Sequence, residues 1–221
     1  GIAILPGFMN AFMVASLLLD RRPRLTAASR AELPPVTILI AAYNEEASIA
    51  DTLRSIDAQG YSGQLRVVAI DDGSKDGTAA ILDAARARYP WLDVILMPQN
   101  GGKSAALNAG FATVKTSLVI TIDGDSYLYR DALANLVRRM LEDPESTAAV
   151  AGAVLVRNSR RNLVTRVQEW DYFHGIAAVK RIQSLYQGTL VAQGAFSIYR
   201  SDALREVGGW QHVVGEDIVL T

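Results

Sequence analysis

Apolar residues in this chain fall in short unbroken runs, separated by longer stretches in which they recur every three or four positions. Val36–Ala42 (VTILIAA) carries no charge, as expected of a strand covered on both faces. Runs at residues 65–70, 94–97, 118–122, 148–156 and 196–199 read as further strands. Between them lie helical spacings over residues 45–58, 76–89, 103–114 and 131–141. The first of these places Ile49, Leu53 and Ile56 on one face, and Pro90 and Pro144 close two of the others. A long helix is predicted over residues 163–186. Strand and helix alternate through the first two-thirds, which predicts an α/β layer with a mainly parallel sheet flanked by helices. Ligands of such sheets bind at the carboxyl ends of the strands, so the informative residues sit where the apolar runs stop.

The first stretch follows a different pattern. Residues 2–19 carry no charge and are mostly apolar, broken by Pro6, Gly7 and Asn10. Eighteen residues are the short edge of a bilayer span. Asp20-Arg21-Arg22-Pro23-Arg24 follows, and a basic cluster after an apolar stretch places the next domain on the cytoplasmic side of a membrane. A signal peptide would end in small residues and a cleavage site, not in arginines. The alternative is a buried helix of a soluble domain. The expected organisation is a transmembrane helix, whole or partial, over residues 1–20, a basic linker over 21–33, and a globular domain from residue 34 to 221. The chain opens on Gly1 and stops at Thr221 after an acidic pair, and reads as a fragment of a longer protein.

Composition narrows the chemistry. There is no cysteine, which excludes disulfides, thiolate catalysis and cysteine-ligated zinc or iron–sulfur sites. The only histidines are His174 and His212, so a histidine-rich metal site is excluded as well. Net charge is -1, and no global field recruits nucleic acid. The 221 residues are enough for one sizeable core.

At the end of the first strand stands Ala42-Tyr43-Asn44-Glu45-Glu46, with none of the glycines of a dinucleotide-binding turn. Tyr43 suits a flat base, and a carboxylate suits a sugar hydroxyl or a base N–H. Asn44 as a helix N-cap with acids in the first turn accounts for the same residues. The second strand ends in Asp71-Asp72-Gly73-Ser74-Lys75-Asp76-Gly77-Thr78. Two aspartates closing an apolar strand are costly unless something uses them. One carboxylate fits a pyrimidine N–H, while a turn with an Asp or Ser cap is the structural alternative. Asn100-Gly101-Gly102-Lys103-Ser104 is not a phosphate loop, because the glycine needed five places before Gly102 is Met97. A lysine led by glycines into a helix N-terminus still makes an anion site, or an ordinary loop with a solvated lysine. Asp123-Gly124-Asp125 ends the fourth strand. Residues two apart in extended chain point the same way, and Gly124 lets a ligand approach the backbone. Two adjacent carboxylates with no basic residue nearby call for a shared cation, and magnesium or manganese suits the hard oxygens. Gly215-Glu216-Asp217 could supply a general base, though exposed acidic loops are common. Trp170, Tyr172 and Phe173 read as core residues or as a membrane-surface face, and Trp210 reads as packing rather than sugar stacking.

The ordered set A-Y-N-E-E, D-D-G-S-x-D-G-T, N-G-G-K-x-x-A-L-N, D-G-D, Q-G and G-E-D resembles the family 2 inverting glycosyltransferases over residues 34–221. It is most similar to their membrane-embedded processive branch, the poly-N-acetylglucosamine, chitin-oligosaccharide, hyaluronan and cellulose synthases. The resemblance implies a GT-A type nucleotide-sugar-binding fold. It implies that Tyr43, Glu45 and Asp72, with Ala42 and Asp71, hold the uridine, and that Lys103 and Asp123 lie by the nucleotide and diphosphate. Asp123 and Asp125 form the metal pair, for Mg2+ or Mn2+, with Asp125 the direct contact. Gln193 and Gly194 face the acceptor sugar. Asp217 is the catalytic base, with Glu216 beside it.

The implied reaction is transfer of N-acetylglucosamine from a UDP-sugar donor to a polysaccharide acceptor, by a membrane protein with its catalytic domain on the cytoplasmic side of a bacterial inner membrane. UDP-glucose is the alternative donor, and a single-addition lipid-linked sugar transferase the alternative enzyme. The non-enzyme alternative is a nucleotide-sugar-binding regulatory domain, against which the intact Asp123, Asp125 and Asp217 argue. The branch's downstream Q-x-x-R-W motif is not in this sequence, so weak or no polymerisation is expected of these residues alone.

Overall fold

The computed structural model describes residues 8, 11–12, 14–16, 18, 33–153, 164–167 and 195–211. Among the described residues, six strands and five helices have bounds within residues 33–211, beside a short helical piece at 164–167. They run β1 (Val36–Ala42), α1 (Ile49–Asp57), β2 (Leu65–Asp71), α2 (Thr78–Arg86), β3 (Leu92–Leu96), α3 (Lys103–Phe111), β4 (Leu118–Asp123), α4 (Ala132–Glu142), β5 (Ala149–Ala151), β6 (Phe196–Arg200) and α5 (Ser201–Glu206). The strands form one sheet in the order β3-β2-β1-β4-β6-β5. β1, β2, β3 and β4 are parallel, and β6 runs antiparallel to both β4 and β5. The expected α/β class and mainly parallel sheet are therefore present.

The continuous apolar runs make sense once the layers are seen. Ile38 and Ile40 of β1 face one side, with Val67, Ala69, Ile120 and Ile122 of its neighbours. Ile49, Leu53 and Ile56 of α1, Leu82 of α2, and Leu133, Val137 and Met140 of α4 cover them. Leu39, Val68, Ile70 and Val119 face the other side, under Ala106 and Leu107 of α3, Leu204 of α5 and Trp210. A strand with helices on both faces has no polar face to show, so alternation disappears from its sequence. Each fully buried Leu or Ile contributes roughly 1.5–3 kcal/mol relative to exposure, so these two layers carry most of the stabilisation.

The order of connection also locates a crevice. From β1 the chain winds outward through β2 to β3, then crosses back to place β4 on the other side of β1. Adjacent strands whose connections leave in opposite directions open a gap between their following loops, at the carboxyl ends. Here that gap lies after Ala42 of β1 and Asp123 of β4; Ala41 is paired with Asp123 in the register.

Several boundaries differ from expectation. α1 begins at Ile49 rather than Glu45, because residues 43–48 are spent on a loop and turns. The strand expected over residues 148–156 is described only as Ala149–Ala151, and α5 was not anticipated at all. Residues 164–167 are helical, and the rest of the long helix expected over 163–186 lies outside the described residues.

The described residues of the first stretch are helical, with Phe8 stacked on Phe12 at 6.4 Å between ring centroids. Phe8, Val14 and Leu18 are exposed. Among the described residues no helix is long and apolar enough to cross a membrane, so the span expected over residues 1–20 is not confirmed.

Candidate active site

Three loops meet at the crevice. The β1 and β2 loops are laced together through side chains. Asn44 Oδ1 accepts from the Lys75 amide at 2.9 Å, and the Asn44 amide donates to Ser74 Oγ at 2.9 Å. The Glu45 amide donates to Thr78 Oγ1 at 2.7 Å. The Glu46 amide donates to Asp76 Oδ2 at 3.1 Å, and Glu46 Oε2 accepts from the Gly77 amide at 2.7 Å. Asn44 is thus not the N-cap of a helix. It takes a left-handed φ of 57° and joins two loops, a conformation Asn tolerates better than most residues. Burial pushes the Asp76 carboxyl up, but hydrogen bonds from the Thr78 hydroxyl and amide, the Glu46 amide and its own amide outweigh it and hold it below the usual range.

Asp71 and Asp72 divide the work at the end of β2, and both are buried. Asp72 accepts the amides of Gly101 and Gly102 at 2.8 Å each, one on each oxygen. The glycine loop before α3 therefore does hold an anion at a helix N-terminus, and that anion is Asp72 itself. Asp71 Oδ2 accepts the Ser74 amide at 3.3 Å, whereas its Oδ1 is buried with no hydrogen-bond partner among the described residues. A buried carboxylate oxygen left unpaired costs about 1–3 kcal/mol or more.

The D-G-D segment departs from its sequence reading in three ways. β4 ends at Asp123, and Gly124-Asp125 form a turn closed by the Ser126 amide on Asp123 O at 3.0 Å. The two-residue alternation of an extended strand does not apply there, and Asp125 is exposed while Asp123 is half-buried. Gly124 is buried, and a Cβ at this position would sit 3.0 Å from Glu45 Cγ and 3.3 Å from Ala42 Cβ. Its small size seats the β1 loop rather than admitting a ligand to the backbone. Finally, a basic residue is near: Lys103 Nζ lies 2.5 Å from Asp123 Oδ1. No local pattern reports a pair twenty residues apart, brought together by α3 and β4.

The remaining candidates of this region are placed around these. Tyr43 is 40% exposed at the mouth of the crevice. Glu45 is half-buried and accepts from Ser48 Oγ at 2.5 Å. Ala42 is buried beneath Gly124. The fold thus gathers Ala42, Tyr43, Glu45, Asp71, Asp72, Lys103, Asp123 and Asp125 at one edge of the sheet. Gln193, Gly194, Glu216 and Asp217 lie outside the described residues, as do Trp170, Tyr172, Phe173, His174 and His212. Asn108 was not among the sequence candidates, although it ends the N-G-G-K-x-x-A-L-N motif.

A mainly parallel α/β sheet with carboxylates gathered at its switch point defines an α/β protein of the kind that binds ligands at the carboxyl ends of its strands. The chain belongs to Glycosyl transferase family 2, which it matches over residues 37–208. It is 30% identical over 191 residues to a poly-beta-1,6-N-acetyl-D-glucosamine synthase of Staphylococcus aureus, covering 86% of this chain and 45% of that protein. The protein of the same name from Staphylococcus epidermidis is 29% identical over 201 residues, or 90% of this chain and 48% of the relative. The chain thus spans about half the length of the curated relatives it matches. Among solved structures, the mannosyltransferase PcManGT from Pyrobaculum calidifontis, in complex with GDP-Man and Mn2+, superposes with a TM-score of 0.73 at 25% identity, over 94% of this chain and 56% of that one. TarS 1-349 of S. aureus in complex with UDP-GlcNAc superposes at 0.58 with 20% identity, over 84% of this chain and 52% of that one. The GT-A type α/β fold expected from the motifs is the fold these neighbours share.

Proposed function

We propose that this chain is the catalytic domain of an inverting, metal-dependent glycosyltransferase that passes N-acetylglucosamine from UDP to a growing β-linked polysaccharide. The observation that carries this reading is Asp71 Oδ1, buried and without a hydrogen-bond partner among the described residues, at the sheet edge that also carries Tyr43, Lys103, Asp123 and Asp125. An oxygen buried without a donor is completed by one from a ligand, and the imide N–H of uracil is such a donor. The names of the staphylococcal relatives support the sugar and the polymer.

In this reading Tyr43 lies against the base, and Glu45, Asp71 and Asp72 shape and hold the uridine over Ala42. Lys103 exchanges part of its hold on Asp123 for the diphosphate. Gln193 and Gly194 face the acceptor. Asp217, with Glu216 beside it, takes the proton from an acceptor hydroxyl. That oxygen attacks the anomeric carbon from the face opposite the departing UDP, so configuration inverts and no sugar–enzyme bond forms.

The residues fit a hard divalent cation. Asp123 and Asp125 offer only carboxylate oxygens, and no group of three ligating side chains stands among the described residues. A site with few protein ligands, completed by phosphates and water, is what magnesium or manganese takes. When bound, the ion would offset charge on the leaving diphosphate. The exposed apolar side chains Phe8, Val14 and Leu18, followed by the arginines of residues 21–24, support a membrane-associated protein with its catalytic domain on the cytoplasmic side, in a bacterial inner membrane.

Calorimetric titration of UDP into the purified protein with manganese tests this proposal. Binding is expected to need the metal, and Asp125→Ala is expected to weaken it at least about tenfold, the scale of one charged contact. A folded wild-type protein that takes up no UDP overturns the reading. GDP belongs in the same experiment, because the likeness to a GDP-Man-bound mannosyltransferase favours a second reading, a single-addition transferase with a guanine nucleotide. Tighter binding of GDP than UDP would select it.

A further inference from the structure

Helix α1 and the turn that ends it direct three buried polar side chains at the segment that follows β4. Thr52, Ser55 and Gln59 are spaced three and four residues apart, which sets them on one side of the helix. Each is buried, and each is spent on main chain of residues 124–133. Thr52 Oγ1 donates to Gly124 O at 2.7 Å. Ser55 Oγ accepts the Leu128 amide at 3.0 Å. Gln59 Nε2 donates to Tyr129 O at 3.0 Å, and its Oε1 accepts the Leu133 amide at 3.1 Å.

Of the three, Thr52 reaches the turn between the two aspartates. The Ser126 amide closes that turn on Asp123 O, and its central peptide joins Gly124 to Asp125. Neither of these residues takes a positive φ, as in a type I turn. A type II turn differs by a flip of the central peptide, which throws its carbonyl to the other side. It asks for a positive φ at the second central residue, which Asp tolerates better than most. Glycine at the first central position opens the mirror-image turns as well. Close packing against Glu45 and Ala42 nevertheless leaves room for nothing larger at 124. The turn therefore needs a hold from outside itself. Thr52 supplies it, because its hydroxyl binds the one carbonyl that a flip must move. A peptide unit is planar, so fixing Gly124 O also fixes the Asp125 amide and the direction in which Asp125 leaves the turn. The hold is made in the core, where Thr52 is 1% exposed and water does not compete for the hydrogen bond.

We propose that Thr52 is a positioning residue for the cation pair: by holding the peptide between Asp123 and Asp125, it keeps the two carboxylates placed for one shared ion. This rests on the reading of Asp123 and Asp125 as metal ligands given above.

The test is the manganese concentration that half-saturates UDP binding, measured by calorimetry on the full-length protein. Thr52→Val keeps the shape and loses the donor. Its half-saturating manganese is expected to rise roughly tenfold or more, the scale of losing an outer partner of a metal ligand, while UDP affinity at saturating manganese stays within about twofold of wild type. Thr52→Ser keeps the hydroxyl and should restore the wild-type dependence. Ser55→Ala controls for packing: it loses a buried hydrogen bond of the same side of α1, and should lower Tm without moving the manganese dependence. An unchanged dependence in Thr52→Val, no restoration in Thr52→Ser, or an equal shift in Ser55→Ala overturns the proposal. If Thr52→Val does not fold, Thr52→Cys serves, since a thiol is a weak donor; a rise of about threefold is expected of it, and no rise overturns the proposal equally. A wild-type protein that binds no UDP, or binds it as well without manganese, would instead strike the underlying reading, and the same series tells the two failures apart.

Discussion

At the scale of single residues, the adjacent aspartates after β2 show how chemistry too local for a pattern decides a site. Asp72 is satisfied twice by main-chain amides, and Asp71 keeps one buried oxygen without a donor among the described residues. Asn at position 71 keeps an oxygen for Ser74 but presents an amide donor where, in the proposed reading, the base N–H arrives. Asp71→Asn is therefore expected to lose at least about tenfold in UDP affinity, the scale of a hydrogen bond to a charged group. Stability without ligand should stay level or rise, since an unpaired buried charge is removed. Calorimetry and denaturant melts on the same preparation give both numbers, and wild-type affinity in the variant would exclude Asp71 from the base pocket. The same scale explains Gly124 and Asn44. The sequence offered reasonable roles for each, and both were displaced by partners that only folding supplies: Glu45 and Ala42 for one, Ser74 and Lys75 for the other.

At the scale of elements, the β1 and β2 loops act as one unit because Asp76 accepts from Glu46 and Thr78. Its carboxyl titrates lower in the folded protein than in the unfolded chain, so the folded state favours the ionised form. The stabilisation it gives is complete above the unfolded value of about 3.9 and is lost as pH falls through the lower folded value. Asp76→Ala should therefore flatten the acid limb of the stability profile below about pH 4 and leave its upper limb alone. Unfolding followed against pH in both proteins checks this, and identical acid limbs would remove Asp76 from the account. The lacing also explains why α1 starts at Ile49. Residues that a helical period counts as a first turn are better used when their amides reach another loop.

At the scale of the whole molecule, the switch between β1 and β4 makes ligand binding and folding a linked equilibrium. Loops from β1, β2 and β4 and the start of α3 converge there, so a nucleotide bound there with a metal, as proposed, would hold the ends of most of the sheet. UDP at about a hundred times its dissociation constant should add about 2.7 kcal/mol to stability. For a protein of this size that is a rise in Tm of roughly 5–10 °C. Scanning calorimetry with UDP and manganese should show it in the wild type and lose it in Asp125→Ala. A shift that survives in the variant would place the nucleotide elsewhere.

The sequence by itself determined the parts governed by near neighbours. Charge-free runs such as VTILIAA mark strands buried on two faces, and 3.6-residue spacing marks α1 and α4, because both signals lie within a dozen residues. It also placed the polar clusters at strand ends, where a parallel sheet puts its ligands, and so the residues that the fold gathers at that edge were legible before it. Tertiary structure alone decided which of them touch. The Lys103 pair with Asp123, the hold of Asp72 on Gly101 and Gly102, and the grip of Asn108 on Trp210 span 20, 29, 30 and 102 residues. No periodicity encodes such distances. They are set by the register of β1 against β4 and by the side of the sheet on which α3 packs, and both are settled only when the two buried layers close.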